Sequence, residues 1–226
     1  IGSQFYLGLI YYEGDYIKRN INKSIHYFSL ASKKNDVNAQ FVLGIIYYEG
    51  YYVTRDINKA IYYYSLASDQ NHIRAQLSLG IIYYEGKYVT RDINKAIYYF
   101  SLASNQKDAR AQYYLGLIYY EGKDIKQDIS TALRYLSYSA NQNYRRAQYL
   151  LGIIYLEGKY LDHNIDKAIY YLKKASEHEY PDAQYKLGLI YSTYYIKKDM
   201  NKALYFYTKA SDNKENNDPH ANFIVE

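Results

Sequence analysis

Side chains that commonly carry catalysis or bind metals are few in this sequence and poorly placed for either task. The chain has no cysteine, which excludes disulfides, thiolate metal sites and a cysteine nucleophile. No two histidines recur at the three- or four-residue spacing that would put them on one face of a helix. The sequence contains no G-x-x-x-x-G-K-[ST] phosphate loop, no G-x-G-x-x-G turn and no G-x-S-x-G nucleophile elbow. We therefore expect no catalytic residue, no metal ion and no cofactor, and we do not expect an enzyme. The histidines are His26, His72, His163, His178 and His220.

A row of glutamates recurs at intervals of 36 residues. Carboxylates that stand one such interval apart are too distant to act as an acid and base pair on one bond. We interpret the row as solvated or paired with loop cations such as Arg55 and Arg91, where an exposed ion pair contributes about 0.2 to 1 kcal/mol. Binding of a basic peptide is the alternative. The row consists of Glu13, Glu49, Glu85, Glu121 and Glu157.

Tyrosine is the side chain whose abundance most suggests a function, with 36 copies among 226 residues. A phenol ring offers a rigid apolar face and a polar tip, which suits contact with peptides. The chain also has no tryptophan, only two prolines and one methionine, so part of this richness fits a genome biased toward A and T codons. The position of each tyrosine in the fold must therefore decide which of them matter.

An internal repeat of 36 residues organises the chain. Each copy contains the segment L-G-[IL]-I-Y, and a small residue follows sixteen residues after the glycine. In the sixth copy this small residue, Ala203, comes one residue early. The glycines are Gly8, Gly44, Gly80, Gly116, Gly152 and Gly188. We place the repeats at about residues 3–38, 39–74, 75–110, 111–146, 147–182 and 183–217, and residues 218–226 resemble the start of a truncated seventh repeat.

The second repeat illustrates the first of two predicted helices, which we call helix A. Ala39, Leu43, Ile46 and Tyr47 lie four, three and one residues apart, a spacing that places them on one helical stripe. Gly50 follows at the end of this stripe. Glycine adopts a positive φ without penalty, so we expect helix A to stop there.

A second helix, helix B, is predicted after a short loop. Asp56 can accept hydrogen bonds from the first free amides of this helix. Ala60, Tyr63, Tyr64 and Ala67 then form its apolar stripe. One hairpin of this size buries too little surface to fold alone, so each hairpin must cover its neighbour. The sequence therefore predicts an all-α stack of hairpins as a single domain over residues 1–226.

The consensus A-Q-x-x-L-G-x-I-Y-x-E-G, a loop, and then D-I-x-K-A-I-x-Y-[YF]-x-x-A resembles the Sel1-like repeat, a relative of the tetratricopeptide repeat. The resemblance covers nearly the whole chain. It implies a right-handed α/α superhelical solenoid that serves as a protein–protein interaction scaffold or adaptor, with helix A lining the concave surface. It also includes a cysteine-linked branch associated with β-lactams, so a β-lactam-hydrolysing enzyme is a remote alternative. A fixed structural component of a large assembly is another alternative.

Helix-A side chains that lie off the core stripe are the candidates for partner contact. In the second repeat these are Phe41, Ile45 and Tyr48, of which Ile45 is expected to pack between repeats because its equivalents never become polar. A neighbouring helix-A position varies freely, so we expect it to be exposed and to set partner choice. The candidate partner-binding residues are Phe5, Tyr12, Phe41, Tyr48, Leu77, Tyr84, Tyr113, Tyr120, Tyr149 and Leu156, and the candidate specificity residues are Tyr6, Val42, Ser78, Tyr114, Leu150 and Lys186.

Charge and hydropathy narrow the class of partner. The net charge of +5 is spread along the chain, which predicts protein or peptide partners and does not indicate nucleic acid. No apolar run reaches the roughly 20 residues of a membrane-spanning helix. The lack of cysteine favours the cytoplasm and leaves the endoplasmic reticulum lumen or secretion open. The identity of the partner, the pathway, further domains, targeting signals and the oligomeric state stay open.

The polar segment 211–218 predicts a loop.

Overall fold

The fold is all-helical, as the sequence predicts. The computed structural model describes residues 2–15, 17–160, 162–193 and 198–215, and these residues form twelve helices and no strand. Odd-numbered helices correspond to helix A, and even-numbered helices correspond to helix B. The helices are α1 (Gly2–Glu13), α2 (Ile21–Ser32), α3 (Val37–Glu49), α4 (Ile57–Asp69), α5 (Ile73–Glu85), α6 (Ile93–Asn105), α7 (Ala109–Glu121), α8 (Ile129–Asn141), α9 (Arg145–Glu157), α10 (Ile165–Glu177), α11 (Pro181–Ser192) and α12 (Met200–Glu215).

The turn between the two helices of a hairpin follows the predicted local rules. Gly50 ends α3 with a φ of 68°, and its amide donates to the carbonyl of Ile46. Asp56 precedes α4, and its carboxylate accepts a hydrogen bond of 3.0 Å from the amide of Lys59. Both assignments made from the sequence are confirmed.

The repeated spacing between the glycine of helix A and a large side chain of helix B reflects close packing within a hairpin. In α5, a Cβ atom built on Gly80 would lie 2.5 Å from ring carbons of Phe100 in α6. Carbon atoms do not approach this closely, so the helix backbone and the ring can touch only because glycine has no side chain. Leu43 and Ile46 are buried on the core stripe of α3, as the sequence predicts.

The chain divides into two compact units, residues 1–111 and residues 112–226, and the boundary falls within α7. In the first unit α2 packs on α3 and α4 packs on α5. In the second unit α8 packs on α9 and α10 packs on α11. Each unit is thus built from hairpins that cover their sequence neighbours. The assignment of one domain to residues 1–226 stays a prediction.

A buried glutamine near the start of helix A is a core feature that the sequence analysis missed. In α3 the Nε2 of Gln40 donates to the carbonyl of Ser32 in the preceding hairpin, at 3.5 Å. The Oε1 of Gln40 accepts a hydrogen bond of 2.7 Å from Nε2 of Gln70, which caps α4. This amide pair therefore ties helix A to helix B and to the hairpin before it. Equivalent pairs are Gln76 with Gln106, Gln112 with Gln142, and Gln184 with Asn213.

The fifth repeat breaks this series of amide pairs, and so does the first, where the buried Oε1 of Gln4 has no hydrogen-bond partner among the described residues. The Nε2 of Gln148 donates to the carbonyl of Ala140 at 3.1 Å, but its buried Oε1 has no hydrogen-bond partner among the described residues. The residue equivalent to Gln70 is His178 in this repeat. A buried acceptor without a donor is costly, so the fifth repeat carries a local defect.

The junction between hairpins contains a residue in the left-handed backbone region. Asn35, Asn71 and Asn143 have φ values of 60°, 62° and 63°, a conformation that asparagine tolerates better than most residues. Lys107 and Glu179 take the same conformation with φ values of 65° and 54°. Lysine and glutamate adopt a positive φ less readily than asparagine, so the residue type did not predict the left-handed conformation at these two positions.

Two expectations about the end of the chain meet different outcomes. The loop predicted from Ser211 is wrong over its first five residues, because α12 continues through Glu215. Residues 216–218 and the truncated seventh repeat at 218–226 lie outside the described residues. Among the helices that are described, none has the length and apolar character needed to cross a bilayer.

Restoring the amide pair of the fifth repeat should stabilise the protein. We expect His178→Gln to raise the free energy of unfolding by about 1 kcal/mol, since Gln148 would gain a donor for its buried Oε1. The reverse change in the fourth repeat, Gln142→His, should lower it by about 1 to 3 kcal/mol because it removes the donor to Gln112. Urea denaturation followed by circular dichroism measures both. If both substitutions changed the free energy of unfolding in the same direction, or if neither changed it, a structural role for the pair would be contradicted.

Glu179, which follows His178, has a positive φ, and relieving the backbone strain there gives an independent prediction. Glu179→Asn should raise the free energy of unfolding by about 1 kcal/mol, because asparagine adopts a positive φ at lower cost than glutamate. The matched substitution Asn143→Glu should lower it by a similar amount. Thermal and urea denaturation of both variants provide the measurement, and a destabilising Glu179→Asn would show that the turn is not strained.

Candidate partner-binding surface

The first candidate position of helix A contacts the residue that begins the next helix A. The ring of Phe41 lies with its centroid 4.4 Å from that of His72, which caps α5. In the second unit, Tyr149 lies 5.1 Å from Tyr180 in the same way. These rings are half-buried, so one part of each is used for packing and another part reaches solvent. Leu77 differs because only 4% of it is exposed, and it is therefore part of the core.

The last candidate position of helix A faces the loop of the next repeat. Tyr48 is half-buried, and the ring of Tyr88 stands edge-on to it at a centroid distance of 6.1 Å. Tyr12 with Tyr52 and Tyr120 with Tyr160 repeat this geometry at 6.2 Å and 5.8 Å. The loop tyrosines were not among the candidates, although each stands two residues after the glycine that ends helix A, a pattern visible in the sequence. Tyr84 and Leu156 are half-buried at the same position.

In each of the first two loops, an arginine contacts the tyrosine of the following loop. Arg55 Nε donates to the carbonyl of Tyr48 at 2.8 Å, and Nη2 donates to the carbonyl of Glu49 at 3.1 Å. Its Nη1 also donates to the hydroxyl of Tyr88 at 2.8 Å. The same guanidinium thus caps α3 and joins two repeats. Arg55 contacts the backbone of Glu49 and not its carboxylate, which corrects the predicted side-chain pairing.

The freely varying position of helix A is less exposed than the sequence suggested. Tyr6 is exposed over 65% of its surface, whereas Val42, Ser78, Tyr114, Leu150 and Lys186 are all half-buried. Val42 packs against the buried cluster that contains Phe28, and Leu150 packs against the cluster that contains Leu136. Val42 and Leu150 are thus less exposed than expected, because they pack against helix B of the preceding hairpin.

Burial changes the acid–base behaviour of the candidate tyrosines. It raises the pKa of Tyr48 to about 12, and the nearby Glu85 carboxylate adds to the effect. It also raises the pKa of Tyr149 to about 12, with a further contribution from Asp182. A phenol with such a pKa stays protonated near neutral pH. These hydroxyls can therefore donate hydrogen bonds to a ligand, but they cannot act as bases there.

A second set of tyrosines is used for packing within the hairpin. Tyr47 of α3 stacks on Tyr63 of α4 at 5.9 Å with an interplanar angle of 5°. Lys59 Nζ lies 5.1 Å from the centroid of Tyr47 and forms an ion pair of 3.2 Å with Asp56. The lysine of the D-I-N-K motif therefore covers the stack, a role that the sequence analysis missed. Parallel stacks join Tyr11 to Tyr27, Tyr83 to Tyr99, Tyr119 to Tyr135, Tyr155 to Tyr171, and Tyr191 to Phe206.

Helix B leaves single tyrosines exposed on its outer face. Tyr62, Tyr98, Tyr170 and Tyr205 are all more than half exposed. Each makes an edge contact with the following ring of its own helix, and Tyr62 lies 5.1 Å from Tyr63.

Within the described ranges, no three histidine, aspartate or glutamate side chains group as they would around a metal ion. The groups available for recognition on helix A are thus half-buried rings with protonated hydroxyls.

Comparison with known proteins points to one family. The Sel1 repeat model matches residues 1–36, 37–72, 73–108, 109–144, 145–180 and 181–214. These matches cover the hairpins described above. Curated protein sequences give no significant match.

Solved structures of Sel1 proteins resemble the chain in sequence and fold. A protective antigen of uropathogenic Escherichia coli with an SLR fold is 30% identical, with a TM-score of 0.84, over 93% of this chain and 46% of the antigen. The chain thus spans less than half of that protein. A Sel1 repeat protein of Oxalobacter formigenes is 29% identical, with a TM-score of 0.79, over 93% of this chain and 87% of that protein. An immunity protein of Pseudomonas aeruginosa shares the fold alone, at 17% identity and a TM-score of 0.58 over 98% and 84% of the two chains. With its family model matched in six consecutive hairpins, the chain belongs to the Sel1 repeat family.

Proposed function

We propose that the chain is an interaction scaffold or adaptor that binds protein or peptide segments along the outer positions of helix A. The observation that carries this proposal is the recurrence of half-buried rings at the same register in successive hairpins. None of the candidate positions in the first five repeats holds a charged residue. A partner lying along helix A would therefore meet aromatic and aliphatic groups at a regular spacing.

The geometry of the rings favours recognition because they are already ordered. Tyr48 is held by Tyr88, and Tyr88 is held in turn by Arg55. A ring fixed before binding loses little conformational entropy when a ligand packs on it. Its protonated hydroxyl then supplies a directional hydrogen bond. Leu77, which is buried, is left out of the proposed surface.

The same groups give no support for catalysis. Their raised pKa values keep the hydroxyls of Tyr48 and Tyr149 protonated at neutral pH, so neither supplies a base there. The repeated glutamates stand one repeat apart, and Arg55 contacts the backbone carbonyl of one of them. The proposed role is therefore binding.

A pair of tyrosines in one hairpin provides a matched test. A phage-displayed library of random dodecapeptides is selected on the full chain, and the affinities of the selected peptides are measured by fluorescence anisotropy. Tyr48→Ala on helix A should weaken binding about tenfold, the loss typical of a contact residue of this kind. Tyr62→Ala on helix B, where the ring is 58% exposed, should leave the affinity unchanged.

The control for folding uses a smaller change. Because Tyr48 is half-buried, Tyr48→Phe keeps the ring packing and removes only the hydroxyl, and it should weaken binding less than the alanine variant does. Circular dichroism confirms the helical content of each variant. Failure to select any peptide, or loss of affinity in Tyr62→Ala with none in Tyr48→Ala, would contradict the proposed surface.

A further inference from the structure

The first helix of the third hairpin is capped by an imidazole and not by a carboxylate. The Nδ1 of His72 accepts a hydrogen bond of 3.1 Å from the amide of Ala75, the third residue of α5. At the equivalent position before α3 and α7, the carboxylates of Asp36 and Asp108 accept the same bond at 2.9 Å and 2.8 Å. Of these three acceptors, the imidazole is the one that titrates near neutral pH.

The bond to Ala75 fixes the protonation state of His72. An imidazole nitrogen accepts a hydrogen bond only when it carries no proton, so the bond requires the neutral ring with its proton on Nε2. A charged ring would instead direct a donor from Nδ1 at the amide of Ala75. Protonation therefore breaks the cap and leaves the third amide of α5 without its acceptor.

The same ring packs on the second hairpin. His72 is half-buried, and its centroid lies 4.4 Å from that of Phe41 in α3 at an interplanar angle of 35°. The backbone amide of His72 also donates to the carbonyl of Ala67 in α4 at 3.1 Å. A change at His72 thus reaches both the start of α5 and a ring of the candidate partner-binding surface.

Burial and charge both oppose protonation of His72. Burial lowers the pKa of His72 the most, and the guanidinium of Arg74 in α5 lowers it further. The positive end of the helix dipole acts in the same direction. The folded chain therefore holds this imidazole in the neutral form that the cap requires.

The described elements packed around the ring supply no carboxylate that would hold a positive charge there. From α3 comes Phe41, and behind it α4 presents Tyr64, whose phenol stays protonated because burial raises its pKa. From α6 comes the neutral amide of Gln106, which donates at 3.1 Å to the backbone carbonyl before the imidazole. Neither Asp69 at the end of α4 nor Asp108 before α7 affects the pKa of the imidazole.

We propose that His72 is a pH-sensitive cap whose protonation loosens the first turns of α5 and the contact with Phe41. Above the ordinary histidine pKa of about 6.5, the ring is neutral in both the folded and the unfolded chain, and the cap is intact. As the pH falls below that value, the unfolded chain takes up the proton first. The stability that His72 supplies is then lost as the pH falls through the lower pKa of the folded chain. The cap acts on the fold of this hairpin junction whether or not a partner binds there.

Three variants separate the cap from the ring. His72→Asn keeps a side-chain acceptor at the helix start and does not titrate near neutral pH. His72→Tyr keeps a ring and lacks the cap, as Tyr144 and Tyr180 do before α9 and α11. His26→Asn removes an exposed histidine of α2 and controls for the loss of a titrating group elsewhere.

Nuclear magnetic resonance on the full chain measures the cap directly. At about pH 7.5 we expect His72 to carry its proton on Nε2, as identified from the shifts of its ring nitrogens. Between about pH 7.5 and about pH 5, the protection of amides 75–79 against exchange, corrected for the intrinsic rate, should fall about fivefold, the loss expected for one helix cap. His26→Asn should show the same loss, His72→Asn should keep its protection, and His72→Tyr should have the lower protection at both pH values. The ring protons of Phe41 should titrate with the midpoint of His72.

Several outcomes would overturn the inference. These are a proton on Nδ1 of His72 at about pH 7.5, and an equal loss of protection in the unchanged chain and in His72→Asn. A gain of protection at the lower pH would show that attraction between the charged ring and Phe41 exceeds the loss of the cap, which overturns it as well. Amides at the start of α3, which Asp36 caps, provide the internal reference. A loss of equal size there would show that the effect is not local to α5 and would also contradict the proposal.

Discussion

Within each compact unit, the structure depends on the burial of a helix A by the hairpin that precedes it. In α3, Leu43 and Ile46 are 0% and 4% exposed beneath α2. In α1, which no described hairpin precedes, the equivalent Leu7 and Ile10 are 37% and 40% exposed. The same residue types in the same helix are thus core or surface according to their neighbour alone. A single Sel1 hairpin therefore buries only part of its apolar side chains, and packing against a neighbouring hairpin buries the rest.

This constraint explains why tyrosine is so useful to the fold. Hairpins that cover one another leave many positions that are neither buried nor open, and a phenol suits such positions because its ring packs while its hydroxyl reaches water. Tyr47 and Tyr63 stack within a hairpin, whereas Tyr48 and Tyr88 meet across repeats. The composition of the chain is consistent with codon bias, but the placement of these rings follows the packing of the hairpins.

The sequence predicted whatever obeys local rules and missed whatever depends on distant partners. Gly50 and Asp56 were assigned correctly because a helix stop and a helix cap involve only neighbouring residues. Gln40 was overlooked because its partner, Gln70, lies 30 residues away. Variation at Val42 suggested exposure, but it reflects different ways of filling the space beside helix B of the preceding hairpin. The sequence predicted which positions of helix A form the candidate surface, whereas the exposed fraction of each side chain was known only from the structure.

The unpaired Oε1 of Gln148 has a consequence for the order in which the protein opens. In a linear array, stability passes only between neighbours, so a weak link sets a boundary for cooperative fluctuation. The fifth hairpin combines this oxygen with the left-handed Glu179. Segments of low local stability respond most to a bound molecule, since binding adds the stabilisation that the segment lacks. We therefore expect a ligand that binds this hairpin to slow amide exchange in its helices more than in the other hairpins of the second unit.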